Sequence, residues 1–160
     1  MTRTQRFSRG RYGTYAAAAG AMIAVGVLAG PAPVAQAGAG CDGGCSSSIN
    51  QSPLGATALR NWCRSWDVTG SSTTTEPTCS SGGVNQNWMH LAPNGGHTPW
   101  DQDWDTLQVD SGWCYKVFFE VNNAPDFTRT YDRRNKGALW VKVANNANAY
   151  VKAQSSSSCP

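Results

Sequence analysis

Residues 107–121 read LQVDSGWCYKVFFEV, and this stretch decides the fold. Two strand-like runs, Trp104 to Val109 and Trp113 to Val121, flank Asp110-Ser111-Gly112. A three-residue connection ending in glycine is a hairpin signal, because glycine takes the left-handed position at no steric cost. With Val109 opposite Trp113, one face carries Leu107, Val109, Trp113, Tyr115, Val117, Phe119 and Val121. That face is apolar and must meet a core. The other carries Thr106, Gln108, Cys114, Lys116 and Glu120 and points to solvent or a covering loop.

The same alternation extends outward. Gln86 to Leu91 reads as a strand closed by the turn Pro93-Asn94-Gly95-Gly96. Phe127 to Asp132 follows a turn at Asn122 to Asp126. Ala138 to Ala144 and Ala149 to Gln154 flank Asn145-Asn146-Ala147-Asn148, a turn rich in the residue that best tolerates positive φ after glycine. Upstream, Ser52-Pro53 reads as a helix cap and first helical position. Leu59, Trp62, Cys63 and Trp66 recur at i, i+3, i+4 and i+7, which predicts one short N-terminal helix. The expected class is therefore mostly β: a small disulfide-stapled antiparallel sandwich or barrel with that one helix.

The first residues belong to a different physical regime. Arg3, Arg6, Arg9 and Arg11 precede the small, apolar run Ala16 to Gly30, and Ala35-Gln36-Ala37 has the form of a cleavage site. Basic, then apolar, then small is the pattern of a secretory signal peptide over 1–37. The run is short for a membrane span, so no stable membrane insertion is expected once it is removed. The chain holds thirteen basic and ten acidic residues; without these four arginines, nine basic face ten acidic, a net charge of −1. The apparent basicity lies in the export segment, and no nucleic-acid partner is expected. Residues 38–51 are rich in Gly and Ser and are expected to form a flexible lead-in, with a single β-rich domain over 52–160.

All six cysteines, Cys41, Cys45, Cys63, Cys79, Cys114 and Cys159, follow the export segment. An even count in an exported chain predicts disulfides. Nearness in sequence and the need to pin the C-terminus favour Cys41–Cys45, Cys63–Cys79 and Cys114–Cys159. The spacing lacks paired C-x-x-C knuckles, so no metal site and no cofactor are expected.

No catalytic motif names a reaction, and the chain reads as a secreted, extracellular, non-enzymatic binding or interaction protein. Its partner is expected to be an extracellular protein, as adaptor or inhibitor, or a cell-wall or extracellular glycan. Candidate contact residues are Trp100, Trp104 and Trp140, which fall off the expected core face or in loops, with Arg129, Arg133, Arg134 and Lys136 as a basic tip. The alternative is a small secreted hydrolase using His90 or His97 with a carboxylate. Asp101, Asp103 and Asp105 alternate as a calcium loop might begin, but the glycine and glutamate that such a loop needs are replaced by Thr106 and Gly112. A solvated acidic loop is the expectation there.

Overall fold

A computed structural model describes residue 41 and residues 44–160. The expected signal peptide lies outside the described residues, as do residues 38–40, 42 and 43. Among the described residues there are ten strands and no helix.

The strands form two five-stranded sheets. The first has the order β5 (Gly96–His97), β1 (Ser47–Asn50), β10 (Ala147–Ser155), β7 (Cys114–Val121), β8 (Phe127–Asp132). The second runs β3 (Ser72–Thr73), β9 (Leu139–Lys142), β6 (Thr106–Val109), β2 (Ala56–Leu59), β4 (Trp88–Leu91). Every neighbouring pair is antiparallel except β1 and β10, which are parallel. Alternate side chains from both sheets meet in one core: Tyr115, Val117, Phe119, Ala149 and Val151 from the first, with Ala58, Leu91, Leu107, Val109 and Val141 from the second. This is a β-sandwich, in which each sheet buries one face against the other. The disulfides are Cys41–Cys45, Cys63–Cys79 and Cys114–Cys159, the expected pairing.

The apolar face of residues 107–121 is buried as expected, yet its two strands do not pair. β6 bonds to β2 and β9, while β7 bonds to β10 and β8. The turn at Asp110 to Gly112, with Gly112 at φ 82°, carries the chain from one sheet to the other. Alternation dictates which side chains face the core, and both a hairpin and a sheet-crossing arch satisfy it. The segment around Asn145 behaves the same way, since β9 and β10 lie in different sheets. The turn at residues 122–126 does close a hairpin, β7–β8, with Asn123 at φ 63° and Asp126 accepting the Val121 amide at 2.9 Å.

Two further expectations are corrected. The helix from Ser52 is replaced by β2 and a loop. Ala56 and Ala58 are buried alternately, whereas Trp66 at the end of the proposed helical stripe is 97% exposed, so the stripe never forms one face. The lead-in over 38–51 is also not flexible throughout, because Ser47–Asn50 forms β1 inside the first sheet. Of its polar side chains, Asn50 is fully met by partners, whereas the buried Ser48 hydroxyl has none among the described residues. Asn50, wholly buried, donates to the carbonyls of Leu54, Leu91 and Ala92 and accepts from Ser52.

Candidate functional site

The outer face of the first sheet carries a row of rings. Register places His97, Ile49, Tyr150, Phe118 and Thr128 side by side across all five strands. Residues directly opposite in paired strands share a face, but Ile49 is only 7% exposed, so the accessible rings lie to either side of a covered β1. Strand spacing makes the row about 19 Å long. Trp100 extends it at the β5 end: its ring stacks on His97 with centroids 4.4 Å apart, and it is 58% exposed. In the middle, Phe118 and Tyr150 pack with centroids 5.8 Å apart.

Polar groups flank the row on both sides, and the two flanks differ in charge. On one side the register pairs Glu120 with Asn148. Glu120 Oε2 accepts from Asn148 Nδ2 at 3.1 Å and from the Tyr150 hydroxyl at 2.8 Å. Those two bonds hold its carboxyl below the usual range, the Asn148 bond contributing most. On the other side lie Lys116, beside Ala153, and Lys152, which sits where a β-bulge shifts the β10 register. The Lys152 ammonium lies 5.2 Å from the Phe118 ring centre and 5.1 Å from that of Tyr150, and it donates to Gln51 Oε1 at 2.6 Å. Neither lysine pairs with a carboxylate among the described residues.

The structure separates the residues that the sequence grouped. Trp100 joins the row. Trp104 does not, because it is 1% exposed and belongs to the core, with the Arg60 guanidinium 5.2 Å from its ring centre. Its acidic neighbours are held by partners. Asp103 accepts from the Ser46 amide and hydroxyl, and Asp105 pairs with Lys142. Burial raises the Asp105 carboxyl above its ordinary value, with Lys142 opposing that shift. Trp140 lies half-buried on the outer face of the second sheet, between Gln108 and Thr73.

The basic tip is committed largely to local bonds. Arg129 donates to the Gly70 carbonyl at 2.8 Å, Arg133 to that of Gly137 at 2.7 Å, and Arg134 pairs with Asp132 at 2.8 Å. Lys136 is exposed beside Asn135, which turns at φ 57°.

Neither histidine forms an ion pair with a carboxylate among the described residues. His97 has its hydrogen bond with the Thr98 carbonyl, and His90 lies on β4 with its ring against Gly55. Asp103 and Asp105 both accept from the Ser46 hydroxyl, but Asp101 does not join them in a cluster; the one cluster of three ligand-type groups among the described residues is Cys114, Asp132 and Cys159, where the sulfurs are joined in a disulfide. A disulfide lacks the thiolate that binds a metal.

Sequence reasoning passed over Phe118, Tyr150 and Lys152 as contact residues. One signal was available: Phe118 stands between Lys116 and Glu120 on the outward side of β7 and interrupts the polar alternation. The chain matches no family model, no curated protein and no solved structure.

Proposed function

We propose that the chain is an exported, non-catalytic binding module that lays the outer face of its first sheet against a glycan. The observation that carries this reading is the set of rings Trp100, His97, Tyr150 and Phe118 on the outer face of one sheet, with buried Ile49 between its two halves and hydrogen-bonding groups on its flanks. Exposed aromatic surface on a solvated sheet face marks a contact site. Sugar rings present an apolar face and a polar rim, and this surface offers the complement of each. Three disulfides suit an oxidising, extracellular compartment.

The test is affinity electrophoresis of the oxidised protein through gels containing soluble polysaccharides. Retardation by at least one polymer is expected, with loss in Tyr150→Ala and Trp100→Ala. Each aromatic removed should cost about tenfold in affinity, the scale of one well-placed anchor in a contact surface. Equal migration of wild type and both variants in every gel would remove the glycan reading.

A further inference from the structure

Charge is distributed unevenly across this face. Along β7, the outward residues run Lys116, Phe118, Glu120; along the adjoining part of β10 they run Asn148, Tyr150, Lys152. Antiparallel pairing brings the two aromatics together in the middle, the two lysines on one flank, and the carboxylate with its amide on the other. The flanks are at different stages of satisfaction. The Glu120 charge is already met by two donors on one oxygen. The Lys152 charge meets a neutral amide and two rings, and pairs with no anion among the described residues. A cation on an exposed side chain can be reached by an incoming anion.

We infer that the sugar taken by this face bears a ring carboxylate, so that the ligand is a uronic-acid polymer. Its pyranose ring lies on Phe118 and Tyr150, its carboxylate turns toward Lys116 and Lys152, and its hydroxyl edge turns toward Glu120 and Asn148. A carboxylate on the opposite edge would meet Glu120 and be repelled, so the polarity of the face also sets the orientation of the ring. This inference rests on the glycan reading above.

The experiment compares the oxidised protein against sodium polygalacturonate, alginate, the methyl ester of polygalacturonate, and poly-glutamate, at low and at physiological salt. Both carboxylated polysaccharides are expected to bind about tenfold more tightly than the ester, a preference that shrinks as salt rises. Lys116→Met with Lys152→Met keeps the apolar stems and removes the charges, and should bring the acid and ester affinities together. Poly-glutamate, which has the charge and no ring, should bind weakly. If acid and ester bind equally, or if the double variant keeps the preference, the carboxylate assignment fails while the glycan platform stands. If poly-glutamate binds as well as polygalacturonate, attraction is to charge alone and the assignment fails. If no polysaccharide binds, the assignment falls together with the reading beneath it.

Discussion

The hydroxyl of Tyr115 donates to Oδ2 of Asp110 at 2.6 Å. Asp110 ends the path of β6 in the second sheet, Tyr115 is buried in β7 of the first, and Gln108 Nε2 reaches the other oxygen of the same carboxylate at 2.7 Å. The bond therefore braces the arch between the sheets. A partly buried hydrogen bond to a carboxylate contributes about 2 kcal/mol, so Tyr115→Phe should lower stability by about that amount. Urea unfolding at neutral pH measures it. Burial first, and the Asp110 bond second, push the Tyr115 phenol far above its ordinary value. A raised folded value means that the stabilisation is complete below the unfolded tyrosine range, about pH 10, and declines as pH climbs beyond it. The phenylalanine variant should show a smaller alkaline loss than wild type.

The three disulfides span very different lengths of chain, with separations of 4, 16 and 45 residues. Closing a longer loop removes more freedom from the unfolded state. Replacing each pair by alanines should cost about 2, 3 and 4 kcal/mol respectively. Thermal unfolding of the three double variants tests the order. A Cys114–Cys159 variant as stable as wild type would show that the unfolded chain is already restricted by other means.

Trp66 sits at φ 70° with 97% of its surface exposed. A bulky side chain in the left-handed region is strained by about 1 kcal/mol or more, and here almost no burial offsets the strain. Trp66→Gly should raise stability by about 0.5–1 kcal/mol after the greater freedom of glycine in the unfolded chain is counted. Differential scanning calorimetry should find a higher midpoint. A lower one would mean that Trp66 makes contacts this exposure denies.

Glu120 should titrate below the ordinary glutamate range, because Asn148 and Tyr150 both donate to its charged form. A depressed folded value stabilises the fold above the unfolded glutamate range, and that contribution fades as pH falls through the folded value. Asn148→Ala and Tyr150→Phe should each move the titration upward, with the asparagine change the larger. Carboxyl chemical shifts followed through an acid titration would decide it.

Much of this was legible in the chain before folding was considered. Period-two alternation in Tyr115, Val117 and Phe119 showed which side chains are buried, because neighbouring strand residues must point oppositely. Gly112, Asn94 and Asn123 marked turns, since few other residues accept positive φ, whereas the turn at Asn145–Asn146 forms without it. The cysteine count implied cross-links once export was inferred, and the fold chose among the pairings. Trp104 was misplaced for a physical reason. An indole flanked by aspartates looks solvated, yet Asp103 and Asp105 found Ser46 and Lys142 and left the ring free to turn inward.

By itself the sequence determined β structure, the inward faces, several turns and the presence of covalent staples though not their pairing, all of which depend on chemistry within a few residues or on the cysteine inventory. Tertiary structure alone decided which strands bond to which. Facing is a property of one strand, whereas partnership belongs to two, and an arch and a hairpin look identical from within either. For the same reason the row from Trp100 to Phe118 came into being only when β5, β1, β10 and β7 lay side by side. Apart from His97 and Trp100, its members stand far apart along the chain, and nothing local records that they will meet.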